Sequence, residues 1–209
     1  MTVAYSALGR PLFATVGSVQ KLANEAFMTM LTRLLERFPG AAFLWTDATG
    51  HPGFPALLQR HGLAARCHNV GFVDIAAFAP EIDVHLDSFP YGTAEAALRM
   101  LAHGCPTVGM AVKDSLHGYV YGPLLAHGFD DPQRRAAARA LMLPPDHSPR
   151  LLIADDFDRY VALAEAVARD PTYRAACAAA YQKLYNEILA DGGYAAEAWR
   201  AALTSMVPP

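Results

Sequence analysis

Cysteine is scarce in this chain: Cys67, Cys105 and Cys177 are the three thiols in 209 residues, far apart and without a Cys-x-x-Cys pair. That count excludes a disulfide framework, gives no zinc-site spacing, and fits a reducing cytoplasm. Positive charge is not in excess either, since 17 Lys and Arg stand against 20 Asp and Glu for a formal net charge of -3. With no cationic run interleaved with aromatics, nucleic-acid binding is not expected. No stretch reaches the roughly 18 consecutive apolar residues of a membrane-spanning helix. The first residues lack the basic-then-apolar layout of a secretory signal. There is no internal repeat, and low complexity is confined to Ala-rich helical stretches such as residues 175–180. What is present is a chain of 53% hydrophobic and 18% charged residues, long enough for one generous domain or two small ones around a substantial core.

Short apolar runs alternate with longer amphipathic ones. Residues 12–16, 42–46, 66–70, 82–87, 107–110 and 151–154 read as strands, with helical patterns between them. The first helix is the clearest: Leu22, Phe27, Met30, Leu31, Leu34 and Leu35 share one face, the charged residues stay largely off it, and Pro39-Gly40 ends it. Strands this apolar, each followed by a helix, predict an α/β fold: a Rossmann-like, doubly wound parallel sheet of about six strands with helices on both faces. Residues 130–150, with Asp-Asp-Pro at one end and Pro144-Pro145 near the other, read as a surface excursion holding a helical turn or two. After Asp155 the chain reads as helix over 157–169, 172–190 and 194–206. The expected division is a Rossmann-like domain over 1–170 and a helical C-terminal tail over 171–209.

Ligands of such sheets bind where the strands end, so the loops after successive strands can be read together. The fourth strand breaks at Phe89-Pro90-Tyr91-Gly92-Thr93 and restarts as a helix. The first N–H groups of a helix have no intrahelical partner and sit at the positive end of its dipole, so an anion fits there. Gly92 removes a Cβ from the approach, and Thr93 can cap the helix or donate its hydroxyl to a phosphate. An ordinary βα turn with a normal cap has the same appearance. The loop after the first strand, Gly17-Ser18-Val19-Gln20-Lys21, offers backbone and hydroxyl donors and a lysine that opposes the dipole of the next helix. After the third strand, Gly71-Phe72-Val73-Asp74 can hold a planar base, although the Phe72 ring is expected to close the core. His117 can donate to a phosphate or a sugar hydroxyl, or serve as a cap or a surface residue. Glu95 and Arg99 stand four apart on a helix, which suits a surface ion pair; the alternative for Glu95 is a ribose-binding acid.

On the segments Val16-Gly17-Ser18-Val19-Gln20-Lys21-Leu22, Phe89-Pro90-Tyr91-Gly92-Thr93 and Met100-Leu101-Ala102-His103-Gly104-Cys105-Pro106-Thr107-Val108, the chain resembles a known family over nearly its whole length. It is similar to the C-terminal, nucleotide-sugar-binding half of GT-B glycosyltransferases, in particular the O-GlcNAc transferases and the bacterial adhesin-type protein N-glucosyltransferases. The resemblance implies that Lys21 contacts the diphosphate of a UDP-sugar and stabilises the leaving group. It also implies that the backbone around Gly92, Thr93 and Ala94 cradles that diphosphate and that Phe72 and Val73 meet the uracil through the main chain; Ser18, Glu95 and His117 join the same candidate site on the reading of their own loops. At two places the chain departs from the family pattern: Ala94-Glu95-Ala96 replaces a polar continuation of the loop, and Arg99 stands where an acid would hold the ribose hydroxyls.

The function so implied is the donor-binding part of an inverting transferase that moves a hexose or N-acetylhexosamine to a protein or glycan acceptor. No cofactor or metal is expected, because a lysine and a helix N-terminus can take the place of a divalent ion. The resemblance further implies that an N-terminal domain of the same polypeptide supplies the acceptor site, that Tyr194, Trp199 and Leu203 pack toward it, and that this chain alone is not active. Two alternatives stand beside it: a non-catalytic interaction module derived from the same fold, and, less favoured, half of a sugar-nucleotide epimerase.

Overall fold

Strands that are apolar on both faces need cover on both faces, and each finds it. The computed structural model describes residues 5–48, 50–93, 95–110, 132–142 and 151–189. Six strands, β1 Leu12–Thr15, β2 Ala42–Trp45, β3 Cys67–Asn69, β4 Val84–Leu86, β5 Thr107–Met110 and β6 Ile153–Ala154, pair in parallel in the order β3-β2-β1-β4-β5-β6. Every one lies within its predicted range. Alternation along the strands sorts their side chains into two cores. Leu12, Ala14, Ala42 and Leu44 pack on one face, while Phe13, Phe43 and Trp45 pack on the other.

Seven helices are present among the described residues: α1 Glu25–Arg37, α2 Gly53–Arg60, α3 Ile75–Phe78, α4 Glu95–Ala102, α5 Pro132–Met142, α6 Phe157–Arg169 and α7 Pro171–Leu184. Helix α1 buries Phe27, Met28, Met30, Leu31, Leu34 and Leu35, each worth about 1.5–3 kcal/mol. Its first turn is closed by the Asn24 side chain, which accepts from the Phe27 N–H at 2.8 Å. At its far end Arg66 donates to the Leu35 and Phe38 carbonyls at 2.9 and 3.2 Å, satisfying groups that the helix leaves open. Helices α1 and α2 contribute to the core on one face, and α3 lies in the other, so the sheet is doubly wound.

Helix α6 begins and ends where the sequence places it, because Asp156 accepts from the Arg159 N–H at 2.7 Å and Asp170-Pro171 stops it and starts α7. Helix α7 carries Cys177, Tyr181 and Leu184 into the core shared with the sheet, and continues as a π-helical turn, Tyr185–Leu189. The expected helix over 194–206, with Tyr194, Trp199 and Leu203, lies outside the described residues. One expectation is corrected. Within 130–150 there is a helix of 11 residues, α5, longer than a turn or two, whose Ala138 and Met142 are fully buried and which packs against α7, so it is anchored on the core although most of its residues are exposed.

Candidate functional site

The strand order reverses direction between β1 and β4: the chain runs from β1 outward through β2 to β3, then returns to β4 on the other side of β1. Ligands of open parallel sheets bind in a crevice at the C-terminal ends of the strands where the order reverses in this way. The exit of β1 is fixed by polar contacts from its neighbours. The Thr15 hydroxyl donates to the Leu86 carbonyl at 2.6 Å, the Val16 N–H to His85 Nε2 at 3.3 Å, and the Gly17 N–H to Thr46 Oγ1 at 3.0 Å. Gly17 allows the β1 and β4 loops to touch, since a Cβ there would stand 2.8 Å from Thr93 Cγ2.

A 3-10 turn, Val19–Lys21, then carries the lysine back over the crevice, where its Nζ donates to the Gly92 carbonyl at 2.6 Å. Asn24 Nδ2 ties the same two loops together by donating to the Lys21 and Phe89 carbonyls at 2.9 and 3.0 Å. The turn after β4 closes around Asp87, which is only 2% exposed. Its Oδ1 accepts from both the Thr93 N–H at 2.6 Å and the Thr93 hydroxyl at 2.8 Å. Gly92 lies against the other carboxylate oxygen, 2.9 Å from where its Cβ would be. Ser88 donates to the Tyr91 carbonyl at 2.6 Å, and Tyr160 of α6 donates to the Asp87 carbonyl at 2.8 Å. Phe89 anchors the turn from below, its ring 5.5 Å from Phe27 and Tyr160 and 5.3 Å from Phe157.

Burial pushes the Asp87 carboxyl up, against the opposing pull of the Thr93 hydrogen bonds and the Lys21 charge. Burial pushes His85 down to about 3, so it is neutral. Because its Nε2 accepts from Val16, its proton sits on Nδ1, 3.2 Å from Thr107 Oγ1. Tyr160 is raised by burial and by the nearby Asp87. The result is a turn held by several polar contacts, with the Lys21 ammonium on its Gly92 carbonyl.

Of the residues picked out in the sequence, Lys21, Gly92 and Thr93 come together here. Thr93 acts inward: its N–H and hydroxyl both serve Asp87, and its carbonyl accepts from Ala96 N–H at the start of α4. Ala94 and His117 lie outside the described residues. Ser18, whose hydroxyl donates to Gln20 Oε1, lies with Phe72, Val73 and Arg99 along a cleft of about 500 Å³ beside the turn.

Phe72 corrects an expectation, because its ring does not close the core but stands 90% exposed at the cleft rim. Gly71 turns the chain there with φ of +69°, a conformation that costs glycine little. The Glu95–Arg99 ion pair does not form. Glu95 is exposed at the first residue of α4 and away from the cleft, whereas Arg99 lines it without an ion-pair partner among the described residues.

The sequence reading missed Asp47, the one carboxylate among the described residues of this cleft. The available signal was positional: Asp47 is the first acid after β2, in the loop at that strand's C-terminal end. The reading also passed over an Asp-x-Asp spacing at Asp156-Phe157-Asp158. Asp156 caps α6 and the exposed Asp158 pairs with Arg33 of α1 at 3.1 Å, so both have structural partners.

No protein-family model matches the chain, and no curated protein does. Solved structures do. A mutant O-GlcNAc transferase of Thermobaculum terrenum superposes with a TM-score of 0.70 at 20% identity, covering 92% of this chain and 35% of that one. HepE of Anabaena, solved in complex with UDP and glucose, gives 0.60 at 13% identity over 95% of this chain and 50% of its own. The C-terminal domain of LpcC, a glycosyl transferase group 1 family protein of Francisella tularensis, gives 0.57 at 14% identity and covers 85% of each chain. The chain therefore spans about a third of the O-GlcNAc transferase and half of HepE. Its fold is that of the C-terminal, Rossmann-like domain of GT-B glycosyltransferases.

Proposed function

We propose that this chain is the donor-binding part of a GT-B glycosyltransferase and that its crevice holds a UDP-sugar. The observation that carries the reading is the Lys21 ammonium held 2.6 Å from the Gly92 carbonyl, at the C-terminal ends of β1 and β4. An ammonium has three donors, so Lys21 can keep the carbonyl and still give two to a diphosphate. The turn beneath it is fixed by Asp87, Ser88, Asn24 and Tyr160 before any ligand arrives, so its backbone has little to reorganise when charge develops on the leaving group.

In this reading the Lys21 ammonium stabilises the departing nucleoside diphosphate, with no divalent ion required. Phe72 and Val73 bound the base end of the cleft, and the base is read through their main chain. The transfer is inverting, to a protein or glycan acceptor held by an N-terminal domain of the same polypeptide, and the reaction takes place in the cytoplasm.

Titration calorimetry of the chain with UDP, UDP-glucose and UDP-GlcNAc tests it. Saturable heat with at least one of them, unchanged by EDTA, is expected. Folded protein that gives no heat with any of the three overturns the reading and favours the non-catalytic module.

A further inference from the structure

Asp87 follows β4 and is only 2% exposed, within the turn on which the proposed nucleotide site rests. A carboxylate taken out of water is ionised only where hydrogen bonds and opposite charge offset its lost hydration. The hydrogen bonds come from Thr93, whose N–H and hydroxyl reach Oδ1 at 2.6 and 2.8 Å, and from the Ser88 backbone. Two ionisable side chains face Asp87 from other elements. The Tyr160 hydroxyl on α6 donates to its carbonyl and is neutral, its pKa raised by burial and by Asp87 itself. The Lys21 ammonium acts on the carboxylate across Gly92: Nζ holds the Gly92 carbonyl at 2.6 Å, and Gly92 lies against the carboxylate, where a Cβ would stand 2.9 Å from Oδ2. On β4 itself, His85 is turned to Val16 and Thr107 and is neutral. Positive charge thus reaches Asp87 from Lys21.

The same ammonium is the group that the proposed function gives to the diphosphate. A phosphate at Lys21 brings negative charge close to a buried carboxylate and offsets the cation that favoured its ionised form. Both changes favour the neutral carboxyl. Oδ1 can keep its two bonds from Thr93 while the other oxygen takes a proton, so the turn need not open for Asp87 to be neutralised.

We infer that Asp87 is a proton-coupled positioning residue of the donor site, ionised while the Lys21 ammonium is without a ligand and protonated from solvent when a nucleotide diphosphate engages that ammonium. The inference rests on the donor-site reading. It adds that binding of a nucleotide sugar draws one proton toward the turn and tightens as the pH falls.

Calorimetry with UDP-glucose and UDP-GlcNAc at pH 6, in two buffers of different ionisation enthalpy, counts the protons exchanged. These probes suit the question because their phosphates are diesters, without the second proton that a phosphate monoester loses near pH 6. The wild-type chain is expected to take up about half to one proton per nucleotide, its Kd rising about three- to tenfold per pH unit between about pH 5.5 and 7.5. Asp87→Asn keeps an oxygen for the Thr93 donors and cannot titrate, so the proton uptake should be lost and the pH dependence of Kd flattened. If Asp87→Asn does not fold, as judged by its melting transition, Thr93→Val serves instead: it deletes one donor to the ionised carboxyl and should lower the proton count. Binding without proton uptake by the wild type overturns this inference and leaves the donor-site reading standing, as does uptake that persists unchanged in the folded variant. Absence of heat with either nucleotide sugar in both buffers overturns the donor-site reading and this inference with it.

Discussion

Lys21 and Gly92 are 71 positions apart in the sequence, and the ammonium of one donates to the carbonyl of the other at 2.6 Å. The contact joins the two loops at which the proposed diphosphate would be held. Replacing the lysine removes a charge-assisted hydrogen bond to the ligand, a loss of about 1.5–3 kcal/mol. Lys21→Ala is therefore expected to raise the Kd for UDP by about 10- to 100-fold in calorimetry. Because the side chain is only half-buried, the melting temperature should change little. Unchanged affinity in a folded variant would show that the lysine holds the loop and not the ligand.

Gly17 and Thr93 give a test of how closely the two loops are fitted. A Cβ at 17 would stand 2.8 Å from Thr93 Cγ2, and the Thr93 side chain cannot turn away without giving up the hydrogen bond of its hydroxyl to Asp87. Overpacking of this kind costs about 1–3 kcal/mol, so Gly17→Ala should lower stability by that amount in urea unfolding. Thr93→Ser keeps the hydroxyl and deletes the methyl. Combined with Gly17→Ala, it should restore most of the loss, and a double variant no more stable than Gly17→Ala would show that the strain lies elsewhere.

Tyr160 links the site to α6, its buried hydroxyl donating to the Asp87 carbonyl at 2.8 Å. Tyr160→Phe keeps the ring that packs on Phe89 and deletes only the donor. The expected cost is about 1 kcal/mol of stability, together with a severalfold weaker UDP interaction as the turn loosens. Lost stability with unchanged affinity would confine Tyr160 to the core.

The fold was legible because its strands are apolar on both faces: β1, β2 and β5 are buried at every position, and such runs have little alternative to a covered parallel sheet. Helix α6 was legible to the residue because a capping Asp precedes it and Asp-Pro follows. Helix α5 was not, since Ala138 and Met142 are its only buried residues and an Arg/Ala-rich segment shows almost no apolar face. In the site, Lys21 and Gly92 could be placed from strand-end logic alone. Asp47 could not, because a single acid after a strand is common. It shares a cleft with Arg99, which only the folded sheet brings there. Phe72 went astray for the opposite reason, as an aromatic next to valine reads as core until a positive-φ glycine turns it outward.

His85 ties the stability of the site to pH in a direction that can be worked out. It is fully buried on β4, accepts from the Val16 N–H through Nε2, and faces Thr107 through Nδ1. Unfolded, its imidazole takes up a proton near its ordinary 6.5; folded, burial holds that back to about 3. Between these values the unfolded chain binds more protons, so stability is complete above pH 6.5 and falls as the pH drops toward 3, by about 1.4 kcal/mol per pH unit for one proton. Asp87 works the other way. Burial raises its folded pKa above the ordinary 3.8, so above that pH the folded chain binds more protons and this contribution declines as pH rises. The two overlap in wild-type protein, but His85→Gln keeps an acceptor for Val16 and removes only the imidazole proton. Urea unfolding of both proteins from pH 7.5 to 4 should show the wild type losing its advantage over His85→Gln as the pH falls. A difference between them that stays constant over that range would mean that His85 takes up its proton as readily in the fold as in the unfolded chain and that the hydrogen bond from Val16 is not made.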